Sequence, residues 1–75
     1  MQSKGMTNLA IYVDNFLYQN RYNKSDIARQ LGLTRQGLYN LLHKPSFNDA
    51  DANRILNAIG YKVDYSIVPL EDNIK

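Results

Sequence analysis

The stretch Lys24-Ser-Asp-Ile-Ala-Arg-Gln-Leu-Gly-Leu-Thr-Arg-Gln-Gly-Leu-Tyr-Asn-Leu-Leu-His43 decides how this chain folds. Ile27 and Leu31 recur at helical spacing, and Gly32 then stops the run, because glycine enters the left-handed conformation without a Cβ clash. Thr34 is a good N-cap for a second run. In that run Leu38, Leu41 and Leu42 point one way and leave Arg35, Gln36, Tyr39, Asn40 and His43 for the other. The stretch therefore predicts two helices, over about 24–31 and 35–43, joined by a tight turn.

Working outward on the N-terminal side, Leu9, Val13, Phe16 and Leu17, with Tyr12 beside them, mark one face of a helix over about 7–20, capped by Thr7. Asn20 to Asn23 interrupt it. Asn23 followed by Asp26 reads as an N-cap with an acidic first turn facing the dipole of the next helix.

On the C-terminal side Pro45 ends the run. Asn48 can cap a fourth helix over about 49–59, with Asp49 and Asp51 in its first turn and Ala52, Ile55, Leu56 and Ile59 on its buried face. Gly60 stops it. Beyond it Tyr61, Val63, Tyr65 and Ile67 alternate with polar residues, which predicts one strand over about 61–68, closed by Pro69.

A lone strand leaves backbone groups without partners. One solution is a two-fold dimer in which Tyr61, Val63, Tyr65 and Ile67 lie on strands paired antiparallel between two copies. The other is a strand lying across its own helices with one edge open.

Seventy-five residues make one domain, 1–75, with flexible ends expected at 1–6 and 70–75. A chain of this size buries only roughly 60% of its unfolded surface, and without cysteine neither a disulfide nor a thiolate zinc site adds to that core. No apolar run approaches the roughly 20 residues that span a bilayer, so a soluble, cytoplasmic protein is expected. The net charge of +2 is unevenly placed: residues 1–20 sum to zero, 21–44 to +4 and 45–75 to −2. The basic middle third suits a polyanion, although a solvated basic face on an ordinary domain would read the same.

One histidine, no cysteine and no glycine-rich phosphate loop argue against an enzyme and against a bound metal or other cofactor. Asp49 and Asp51 are explained by the dipole of the helix they open.

Residues 24–43 resemble the helix-turn-helix motif of the Cro and phage-repressor family: a small residue at the fifth place, Ala28, glycine at the ninth, Gly32, and apolar residues at Ile27, Leu31, Leu33, Leu38 and Leu41. With the continuation His43-Lys44-Pro45-Ser46 and a helix ending Ile59-Gly60, the likeness covers about residues 7–60. It implies a mainly α, four-helix Cro-like domain with the C-terminal strand as an addition found in some small members. It also implies a sequence-specific repressor of phage or bacterial kind that places helix 35–43 in the major groove of double-stranded DNA.

Carried over by place, the base-reading residues are Arg35, Gln36, Tyr39, Asn40 and His43, and the phosphate contacts are Lys24, Thr34, Lys44 and Ser46. Arg35 can grip guanine O6 and N7, and Gln36 or Asn40 can fork adenine N6 and N7. The operator is expected to be a pseudo-palindrome bound by a homodimer. Two departures stand out. Lys24 occupies a place where many members carry glutamine, and Gly37 lies inside the recognition helix at a cost of about 0.5–1 kcal/mol relative to alanine. Gly37 marks either a close approach to DNA or the preceding helix, or a tolerated weakness. The alternative function is a protein-interaction module on the same scaffold, such as an antirepressor, an antitoxin or an inhibitor.

Overall fold

Each helix of the computed structural model, which describes residues 6–70, opens on a side chain that replaces a missing backbone partner. Thr7 Oγ1 accepts from the Ala10 N–H at 3.1 Å and starts α1, Asn8–Gln19. Asn23 accepts from the Ser25 and Asp26 N–H groups and starts α2, Lys24–Gln30. Thr34 accepts from the Gly37 N–H at 2.9 Å and starts α3, Arg35–Leu42. Asn48 and Asp51 exchange hydrogen bonds in a capping box that starts α4, Asp49–Asn57.

α1 and α2 close by the same geometry. In α2 the Leu33 N–H donates to the Ala28 carbonyl at 2.8 Å and the Gly32 N–H to that of Arg29 at 3.1 Å, with Gly32 at φ +74°. In α1 the Tyr22 N–H reaches the Leu17 carbonyl at 2.9 Å and the Arg21 N–H that of Tyr18 at 3.1 Å. Here the left-handed place is filled by Arg21, at φ +62°, instead of glycine.

The core is built from one stripe of each helix. Ala10, Val13 and Leu17 of α1, Ile27 and Ala28 of α2, Leu38 and Leu42 of α3, and Ala52, Ile55 and Leu56 of α4 are all buried. Leu31, Leu33, Leu41 and Ile59 pack half-buried around them. Truncating a leucine here to alanine costs about 2–5 kcal/mol, a large share of what a domain this small can hold. Phe47, in the turn between α3 and α4, completes the core, and sequence periodicity had no means of placing it. Met6 also packs against this core, so the expected flexible N-terminal end is anchored at its last residue; residues 1–5 and 71–75 lie outside the described ones.

The single strand expected over 61–68 is a β-hairpin. β1, Tyr61–Asp64, pairs antiparallel with β2, Ser66–Pro69, in the register Tyr61 to Pro69, Lys62 to Val68, Val63 to Ile67 and Asp64 to Ser66. The turn consumes one residue, Tyr65, at φ +68°. With a one-residue turn, odd-numbered positions keep the same face on both arms, so a folded hairpin shows the alternation of one continuous strand. Tyr61, Val63 and Ile67 pack against the chain's own core, while Tyr65 at the tip is fully exposed.

Two of the outward N–H groups of the hairpin find partners on the helices. Leu70 N–H donates to the Gly60 carbonyl at 2.9 Å, so in this register Val63 and Ile67 turn their N–H groups outward. The first donates to Asn53 Oδ1 of α4 at 2.8 Å and the second to the Tyr12 hydroxyl of α1 at 3.3 Å. Pro69 has no N–H to offer. Of the set Tyr61, Val63, Tyr65 and Ile67, the three residues other than Tyr65 thus form a packing face against the chain's own core.

Among the described residues no helix is long and apolar enough to cross a membrane.

Candidate nucleic-acid interface

α3 buries Leu38 and Leu42 and exposes Arg35, Gln36, Tyr39 and Asn40, with His43 half-exposed at its end. Residues four apart on a helix share a stripe. Arg35, Tyr39 and His43 form one stripe, and Gln36 and Asn40 the next.

Both stripes are tied internally. In the first, the Tyr39 and His43 rings stack with centroids 4.0 Å apart and planes 26° from parallel. His43 Nδ1 lies 2.9 Å from the Tyr39 carbonyl, so that nitrogen carries the proton and Nε2 is left for an outside partner. In the second, Gln36 Nε2 donates to Asn40 Oδ1 at 3.0 Å.

A cavity of about 180 Å³ beside the first stripe is lined by Asp14 and Lys24 as well as by Arg35, Tyr39 and His43. It brings Lys24, at the start of α2, next to the base-reading candidates of α3. There Lys24 forms an ion pair with Asp14 of α1, both side chains being partly exposed. Thr34 is exposed, and its hydroxyl oxygen already accepts from the Gly37 N–H. Lys44 follows the other end of α3 and is held 3.2 Å from Asp51 of α4, with Ser46 exposed nearby in sequence.

Asp51 is consequently an unusual carboxylate. Partial burial acts to raise its pKa, but the Asn48 N–H, the Lys44 ammonium and the more distant Arg54 outweigh burial and hold it below the ordinary 3.8. Sequence reasoning found Asp51 as a helix-dipole residue and missed its pairing with Lys44. It also missed Asp14 as the partner of Lys24, since the two lie on different helices and no periodic pattern links them.

These pairings redistribute the basic charge of the middle segment. Lys24, Arg29 and Lys44 each have a carboxylate neighbour, Arg29 through Asp26. Arg35 has no ion-pair partner among the described residues. The strongest cationic donor free for a new anion on α3 is therefore the residue that opens it.

The nearest neighbours of Gly37 belong to its own turn. A Cβ there would crowd Thr34 Oγ1 at 3.3 Å and meet Leu33 Cβ in ordinary contact at 3.5 Å, so its neighbours are the N-cap and the turn before it rather than the body of α2.

No family model, no curated protein and no solved structure matches this chain.

Proposed function

We propose that this protein is a sequence-specific binder of double-stranded DNA, a Cro-like regulator that lays α3 in the major groove. The observation that carries this reading is the outward face of α3. It presents a guanidinium, two amides, a phenol and an imidazole from a short, capped helix braced by α2. Arg35 and Gln36 read bases, Tyr39, Asn40 and His43 adjoin them, and Lys24, Thr34, Lys44 and Ser46 meet the backbone on either side. For Lys24 and Lys44, phosphate must take the place of Asp14 and Asp51. An eight-residue helix reaches only about three or four base pairs. Unique recognition therefore calls for two copies on a pseudo-palindromic site.

Selection of bound sequences from a random duplex pool, with solution mass measured alongside, tests this reading. Recovery of a two-fold symmetric consensus bound by two chains supports it, and an unenriched pool defeats it.

A second reading has one observation of its own. The outer face of α1 exposes Ile11, Tyr12 and Tyr18, and its helix carries no charge but that of Asp14, which is paired. Tyrosine-rich, charge-poor surface suits a protein partner. A protein-interaction module on this scaffold becomes the better description if no duplex is bound at low salt.

A further inference from the structure

The cavity beside the first stripe of α3 is lined in a way that duplex recognition does not require. Three of its lining residues are apolar: Leu38 and Leu42 belong to the buried core, and Met6 is half-buried beside them. Its charged residues are Asp14, Lys24 and Arg35. Asp14 and Lys24 pair with each other and cancel, whereas Arg35 has no ion-pair partner among the described residues. One uncompensated positive charge is left beside apolar surface. Tyr39 and His43, their rings stacked 4.0 Å apart, complete the lining.

Size and charge together select an occupant. The cavity holds about 180 Å³. That is below the roughly 300 Å³ at which sites for drug-sized ligands begin, and just above the roughly 150 Å³ that accommodates benzene. A single six-membered ring with one small substituent fits. A phosphate dianion would bring more negative charge than Arg35 can meet and nothing to cover Met6, Leu38 and Leu42, while an amine would be repelled by Arg35.

We infer that this cavity is a binding site for a small aromatic monocarboxylate, its carboxylate forked by the Arg35 guanidinium and its ring laid against Met6, Leu38 and Leu42. The planar guanidinium matches a carboxylate with two parallel N–H bonds, and the ring displaces water from apolar surface that is otherwise wet. Because Arg35 is also the first base-reading residue proposed above, the inference has a consequence that rests on that reading. A carboxylate and a duplex compete for one guanidinium, so the ligand acts as an effector that releases DNA.

The site is tested on the full chain without DNA, by following backbone amide resonances during titration with sodium benzoate, benzamide and sodium acetate. Benzoate should saturate with a Kd of about 0.1–1 mM and shift the Arg35, Tyr39 and Leu42 amides. Benzamide keeps the ring without the charge, and acetate keeps the charge without the ring. Each should bind at least about tenfold more weakly than benzoate, since each forfeits one of the two interactions. Arg35→Gln should weaken benzoate binding by about tenfold or more, as expected for loss of a charged hydrogen-bond donor. Arg54→Gln removes an exposed arginine outside the cavity and should leave it within about twofold. The inference is overturned if benzoate fails to saturate by about 10 mM, if acetate or benzamide binds as well, or if Arg35→Gln binds benzoate undiminished.

Competition is measured separately, with the best duplex from selection. Benzoate at ten times its Kd should weaken duplex binding about tenfold, with acetate at the same concentration as the salt control. Benzoate binding without that loss overturns the effector role while leaving DNA reading by α3 intact. Absence of any preferred duplex defeats the DNA reading, and the titrations without DNA still decide the carboxylate site.

Discussion

Lys24, the first residue of α2, is held by Asp14 of α1 against the cavity that borders the first turn of α3. A cation placed to meet a phosphate thus already has an anion, and a duplex must compete with it. The pair is partly exposed, so it contributes little to folding, at most about 1 kcal/mol.

Asp14→Asn should free Lys24 and remove a negative charge from the interface. Binding to all duplexes should tighten about threefold to tenfold at low ionic strength, with the salt slope steeper by about one counterion. Fluorescence anisotropy at four salt concentrations measures both. Unchanged affinity and slope would mean that Lys24 does not face the nucleic acid.

Gly37→Ala probes whether the glycine serves DNA or only its own helix. The alanine gains about 0.5–1 kcal/mol of helix propensity, offset by crowding of Thr34 Oγ1 at 3.3 Å. Thr34 is exposed and its hydroxyl can give by a few tenths of an ångström, so a rise in Tm of about 2–4 °C is expected. If Tm rises and DNA affinity falls more than tenfold, the backbone at Gly37 lies against the duplex. A fall in Tm would show that the cap cannot yield.

Arg21→Gly tests the closing turn of α1. Gly32 occupies the matching place after α2 at φ +74°, and Arg21 holds nearly the same conformation at φ +62° with a side chain that opposes it. Relief of that strain should outweigh glycine's greater unfolded-state freedom and raise stability by about 0.5–1 kcal/mol in urea unfolding. A destabilised variant would imply that the Arg21 side chain makes a contact worth more than the strain.

Asp51 predicts an acid-side dependence of stability. Its carboxyl is held below 3.8 in the folded chain, so the unfolded state binds the proton more tightly. Its contribution is complete above the ordinary carboxylate range and is lost as pH falls through the lowered folded value. Thermal melts of wild type and Asp51→Asn should differ by a constant gap from pH 7 to about pH 5, narrowing below about pH 4. A gap that persisted undiminished to about pH 2.5 would assign the effect to hydrogen bonding alone.

The helices were legible because each carries its own start and stop: Thr7, Asn23, Thr34 and Asn48 all act as the caps their chemistry suggests. The hairpin was not legible, since Asp64-Tyr65-Ser66 has no glycine, proline or asparagine to announce a turn and the odd-numbered face continues through it. For the same reason two arms that cover the protein's own core were read as one continuous strand. At the interface, helical periodicity identified which residues of α3 point outward. It could not identify Asp14 or Asp51, whose effects on Lys24 and Lys44 depend on the packing of α1 and α4, nor the Gln36 to Asn40 bond, one of several arrangements open to two amides four residues apart.

The most direct test is a titration of wild-type protein and Arg35→Ala against the best duplex from selection and a shuffled duplex of the same composition, at two salt concentrations. Wild type should bind the selected duplex at least about a thousandfold more tightly. Arg35→Ala should lose about tenfold of that preference at one base pair while its binding to the shuffled duplex falls much less. Equal binding of both duplexes by wild type, or identical behaviour of Arg35→Ala, would contradict the assignment of α3 as a DNA-reading helix.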